Sequence, residues 1–226
     1  MRANEQKIAA DGYEVCLFPC ECMKLNTGRP EHDVYALDFY PVTATGVPMT
    51  HMPVYAPFTG SIVYTGNDHN CILQSSRKVH TPSGLKYVRV LVAHNDNPPP
   101  SVGTDFRQGN RYYTTGDYGY SFGEHLHMEY AVMDSTSEPL WNSSGYGLYK
   151  GCHMWDALYI DDTYIAAGGS YDWLLYGETP PTPTGETKRR KFPWVLYARK
   201  LRGYRANVWH LFFFIVYIRQ GGDVDG

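Results

Sequence analysis

Apolar residues in this chain recur in short, strand-like runs. Residues 34–40, 54–64, 87–94 and 125–133 are such runs, and the last opens with the two-residue alternation of an extended strand. Turn formers separate the runs: Asn26-Thr27-Gly28-Arg29-Pro30, Gly66-Asn67-Asp68, Thr81-Pro82-Ser83-Gly84, and 95–103 with its Pro98-Pro99-Pro100. Hardly any window shows the 3.6-residue period of an amphipathic helix. Strands at this spacing, with no helices between them, predict a mainly-β domain with an antiparallel β-sheet or sandwich.

The pattern also divides the chain. Residues 1–176 read as one domain, in which 134–150 is a long polar loop of the kind that borders binding sites on β scaffolds. Residues 177–187 (GETPPTPTGET) form a polar, semi-rigid Pro/Thr linker. Residues 188–226 form a basic, aromatic tail too short to bury a core of its own. The apolar run 208–218 is about half of the ~20 residues a membrane helix requires, and His210 interrupts it.

Composition sharpens this picture. The 20 tyrosines, 22 glycines and 15 prolines suit strands joined by many turns. The net charge of −3 hides a division: 188–226 holds nine Lys/Arg and two Asp/Glu, whereas 1–187 holds eleven and twenty-one. An acidic body argues against nucleic acid as its ligand, and a basic tail suits an anionic surface or plain solvent. Five cysteines (16, 20, 22, 71 and 152) make an odd number with no regular spacing, so they are expected to be reduced and mostly structural. Residues 1–15 lack an apolar stretch behind a basic start, so no signal peptide is expected.

The chemistry concentrates in Gly123-Glu124-His125-Leu126-His127-Met128-Glu129. On a strand, His125, His127 and Glu129 share one face and Leu126, Met128 and Tyr130 the other. A row of metal-capable and proton-capable groups is what a hydrolytic metal site requires. Further donors lie upstream. His32 and Asp38 are six residues apart and face the same way if extended, and Asp38 sits in an apolar run where an unpaired charge is costly. His94 ends the 87–94 strand beside the Pro-rich loop, a placement at a sheet margin. Histidines 51, 69, 80, 153 and 210 have no such companions and read as structural.

Taken together, these pieces resemble the lysostaphin/LytM-type zinc metalloendopeptidases, which cut peptide bonds in bacterial peptidoglycan. The resemblance rests on His32 and Asp38, on Pro53-Val54-Tyr55-Ala56-Pro57-Phe58-Thr59-Gly60-Ser61-Ile62-Val63, on His94, and on the run GDYGYSFGEHLHME over 116–129. Four separated segments stand in the family's order over about residues 30–133. The sequence departs from the family in having five residues between His32 and Asp38 where three are usual. The two extra residues preserve strand parity, and longer spacings resemble the phage-encoded members. Met128 stands where Phe is usual, and Tyr118 where Thr is usual.

The resemblance implies a zinc ion held by His32, Asp38 and His127, with His125 and His94 handling the proton and steadying the oxyanion. Glu129 reads either as a carboxylate that orients an imidazole or as a plain core or surface carboxylate. Tyrosines 112, 113, 118, 120, 146 and 149 read either as groove walls or as packing. The expected activity is a zinc-dependent endopeptidase acting on peptidoglycan stem peptides or cross-bridges. The expected carrier is a phage lysin or virion tail-associated hydrolase, in the virion or released from the host cytoplasm. Its tail would then meet the virion, the wall or a membrane surface. The alternatives are a structural or regulatory tail-tip protein that keeps the fold and metal without the chemistry, and, more remotely, a His/Asp/His iron oxygenase.

Overall fold

The computed structural model describes residues 3–25, 35–43 and 46–159. His32, the stretch 160–176, the 177–187 linker and the 188–226 tail lie outside them. The described residues form eleven strands and one four-residue helix. The strands are β1 (Met23–Leu25), β2 (Leu37–Pro41), β3 (Pro53–Tyr55), β4 (Gly60–Thr65), β5 (Cys71–Ser75), β6 (Val79–Thr81), β7 (Gly84–Ala93), β8 (Asp105–Phe106), β9 (Arg111–Thr114), β10 (Leu126–Met133) and β11 (Gly151–Cys152). The helix is α1 (Met154–Ala157). The expected mainly-β, antiparallel class is therefore the observed one.

One sheet runs in the order β1-β2-β10-β7-β5-β4-β8, with β11 on β10 and β6 on β7; β3 and β9 pair separately. All these pairings are antiparallel. The expected 54–64 strand is two strands in different sheets. Pro57 has no N–H to continue a ladder, and Gly60 opens β4 flush against β5, where a Cβ would collide with the backbone of Gln74. The run expected at 125–133 enters the sheet at Leu126, and His125 instead bridges to Gly116.

Strand parity gives the sheet two unlike faces. On the inner face Phe39, Leu73, Val88, Val90, Val92, Leu126, Met128 and Tyr130 join one large core with Phe18, Phe58 and Ile62. On the outer face Ile72, Leu91 and Ala131 form a small cluster with Leu148, backed by Val63, Tyr64, Leu140 and Trp141. The 134–150 segment crosses that outer cluster. Tyr112 and Tyr113 are core residues, 5% and 2% exposed, whereas Tyr118, Tyr120 and Tyr146 are exposed. Cys16, Cys20 and Cys71 are buried, and all five cysteines are unpaired.

Candidate functional site

The outer face is polar at its other end. Antiparallel register places His127 opposite Asp38 on β2 and opposite Ala93 on β7. Alternation then turns Asp38 and His127 outward while Phe39, Leu126 and Met128 anchor the same backbones in the core. His127 Nδ1 lies 3.1 Å from Asp38 Oδ1. His127 Nε2 lies 3.3 Å from Glu129 Oε1, and His125 Nε2 is 3.9 Å from the same Asp38 oxygen.

His94 follows directly after β7 and completes the group. Its ring centroid is 4.6 Å from that of His125 and 6.1 Å from that of His127. Its φ of 76° puts a non-glycine residue in the left-handed region, which costs of order 1 kcal/mol and is held by the surroundings. Those surroundings are the 116–123 loop. The His94 ring bonds through Nδ1 to the Tyr118 carbonyl at 2.9 Å, and the Tyr118 N–H donates to the His94 carbonyl at 3.2 Å. Gly116 lets the loop lie this close: a Cβ there would be 2.5 Å from both the His94 carbonyl oxygen and the Asp96 nitrogen.

The same loop fixes His125. Its Nδ1 is 2.8 Å from the Gly123 carbonyl and 3.2 Å from Ser121 Oγ. Asp117 holds the loop shut by accepting the Gly123 N–H at 2.8 Å. A carbonyl oxygen can only accept, so in the neutral rings Nδ1 carries the proton at both His94 and His125, and Nε2 keeps its lone pair.

Electrostatics separate the histidines. Burial pushes the His94 imidazole below the usual histidine range; the Tyr118 hydrogen bond opposes this, and nearby His125 and His127 add to it. His94 is therefore held neutral at pH 7. Burial also disfavours charge on His127, but its hydrogen bonds to the Asp38 and Glu129 carboxylates outweigh it and raise the ring to about 9. With those two carboxylates as partners His127 is charged at neutral pH, and a metal ion must displace a proton to bind it.

His94, Asp38, His125 and His127 thus converge, and His32 lies outside the described residues. Among the described residues no group of three or more His, Cys, Asp or Glu side chains is arranged to hold a metal ion. Asp38 and His127 nevertheless fit two positions of a zinc site. Both offer donors that zinc takes, and their 3.1 Å separation is close to the roughly 3.3 Å edge between donors about 2.0–2.1 Å from a tetrahedral ion. His69, which reads as structural in the sequence, takes a place next to the site. Its ring stacks on Tyr118 with centroids 3.5 Å apart and bonds to the Asn95 carbonyl, bracing the wall beside His94. Nothing in its sequence surroundings signals that role.

No family model matches the chain, and no curated protein matches it in sequence. Among solved structures, the chain is similar to the catalytic domain of the antimicrobial peptidase lysostaphin from Staphylococcus simulans, with 21% identity and a TM-score of 0.37 over 56% of this chain and 88% of that one. It is also similar to a zinc-containing peptidase from Vibrio cholerae, with 17% identity and a TM-score of 0.37 over 56% of this chain and 43% of that one. A third is a mutant catalytic domain of the prophage-encoded M23 protein EnpA from Enterococcus faecalis, with 12% identity and a TM-score of 0.34 over 54% and 92%. The chain thus spans under half of the Vibrio cholerae peptidase.

Proposed function

We propose that this protein is a zinc-dependent endopeptidase of the lysostaphin/LytM type, hydrolysing peptide bonds in bacterial peptidoglycan. The observation that carries this reading is the meeting of His94, His125, His127 and Asp38 at one end of the outer face. Those four residues come from three of the separated motif segments that resemble that family.

Asp38 and His127, with His32, would hold the ion. Zinc bound there supplies Lewis acidity, polarising a peptide carbonyl and lowering the pKa of water towards 7. His125 presents its Nε2 lone pair on the Asp38 side, in position to take the proton from the attacking water and return it to the leaving amine nitrogen. The water oxygen would add to the carbonyl carbon as its first proton passes to His125, and the C–N bond would break as His125 returns that proton to the amine nitrogen. His94, neutral at rest, would serve as the second proton carrier: its Nε2 would take the proton left on the added oxygen, and the Nε2–H so formed is a donor for the oxygen that carries negative charge, so that the products are an amine and a carboxylate, with one proton passed on to solvent. The carrier we propose is a phage lysin or a virion tail-associated hydrolase. The 188–226 tail would serve attachment to the virion, the wall or a membrane surface.

Purified protein added to cell walls is expected to release new amino groups, and His127→Ala is expected to abolish that release. Release undiminished in His127→Ala would overturn the ligand assignment. No release from walls of several chemotypes, with zinc bound, would favour the non-catalytic tail-tip reading.

A further inference from the structure

Two buried charged side chains help fasten the 134–150 segment to the outer face of the sheet. Arg89, 1% exposed on β7, spends its guanidinium on backbone carbonyls of the segment. It donates to Glu138 at 2.9 Å, to Thr136 at 3.2 Å and to Pro139, while its Nε donates to the Gln74 side chain at 2.7 Å. The second fastening is Glu129 on β10, whose two carboxylate oxygens do different work. Oε2 accepts the backbone N–H of Leu148 at 3.0 Å, and Oε1 faces His127 Nε2 at 3.3 Å. Leu148 is 3% exposed, so its amide cannot turn to water, and leaving it unpaired would cost the desolvation of that group.

From this geometry we infer that Glu129 is a positioning residue that ties the His127 imidazole to the 134–150 strap. The Leu148 amide holds one oxygen of the carboxylate, which stops the other from swinging away from Nε2. Nε2–H then donates to Oε1, and Nδ1 is the nitrogen turned towards Asp38. A carboxylate behind a metal-binding imidazole fixes the ring's orientation and raises its basicity. In this chain the carboxylate is itself held by a loop, so the placement of the strap is transmitted to the site through one side chain. This role rests on the proposed reading of His127 as a ligand.

Glu129→Gln tests the role with little change in volume, because glutamine keeps one acceptor oxygen and can serve only one of the two partners. Glu129→Ala serves neither. Amide exchange at Leu148 and the His127 Nε2–H resonance are measured by NMR in metal-free protein, and zinc affinity by competition with a chromophoric chelator. In Glu129→Gln either the Leu148 amide exchanges at least about tenfold faster or the Nε2–H resonance is lost. In Glu129→Ala both occur, and zinc affinity falls about 10–100-fold. Unchanged exchange and an unchanged resonance in both variants would overturn the inference, as would a Glu129→Ala zinc affinity within about twofold of the parent. A parent protein that binds no zinc defeats the proposed function instead, and the two NMR readouts then decide the positioning role by themselves.

Discussion

The two faces of the central sheet share the same strands and differ in what they tolerate. On β10, Leu126, Met128 and Tyr130 are fully buried in the inner core, while His127 and Glu129, one residue out of phase, form a polar line on the outer face. The inner face is held by burial, which is non-directional and tolerates repacking. The polar end of the outer face is held by pairings with fixed partners, so each polar group there depends on a specific neighbour. Stability is therefore expected to follow Leu126, Met128 and Tyr130, and chemistry His127 and Glu129.

The largest expected effect of breaking that division is on rate. His125→Ala removes a proton carrier from the outer-face site and is expected to lower peptidoglycan hydrolysis by about 10²–10⁴-fold. Its urea midpoint should shift little, because the ring is only partly buried and packs against the loop rather than the core. The inverse experiment is Leu126→Ala, on the neighbouring residue. Its side chain is 0% exposed, and truncation is expected to cost about 2–5 kcal/mol in urea unfolding. If the two variants lose stability equally, the division between the faces is wrong.

His94 joins both sides of the comparison, and its backbone and ring can be separated. At φ 76° glycine is unstrained and alanine is not. His94→Gly is therefore expected to be more stable than His94→Ala by about 1 kcal/mol, with hydrolysis impaired alike in both. Equal stabilities would remove the argument for strain at this position.

The smallest effects concern the thiols of the inner face. Burial pushes Cys71 and Cys152 up to about 12, and Cys16 and Cys20 well above the usual thiol range. Alkylation requires the thiolate, so the native protein at pH 8.5 should react slowly. Cys22, the least buried of the shifted thiols, should react first and the rest only on unfolding. Mass spectrometry of iodoacetamide-treated protein checks the order, and early labelling of Cys71 would contradict the burial.

Much of this arrangement was legible in the sequence wherever period and chemistry agreed. The 125–133 alternation gave both the strand and the outward row, because a one-residue slip would bury two imidazoles and expose Met128 and Tyr130. β5 leaves no mark in the sequence because Cys71, Ile72 and Leu73 are buried on both faces, and a doubly covered strand has no alternation to detect. β9 is hidden because its neighbouring tyrosines, Tyr112 and Tyr113, suit a groove wall as well as a core. The 54–64 run looks like one strand because nothing in its hydrophobicity marks Pro57 as the place where the chain changes sheets. The Arg89 and Glu129 fastenings depend on contacts 47 to 50 and 19 residues away in sequence. No local pattern encodes such distant pairings.

Metal content decides the proposal most directly. Protein purified without added zinc, then dialysed against a slight excess, should retain one zinc per chain by elemental analysis. His32→Ala, Asp38→Asn and His127→Ala should each retain far less, while Leu126→Ala, if folded, keeps the full complement. A parent chain without zinc, or a His127→Ala variant that holds a full equivalent, would contradict the assignment of this site.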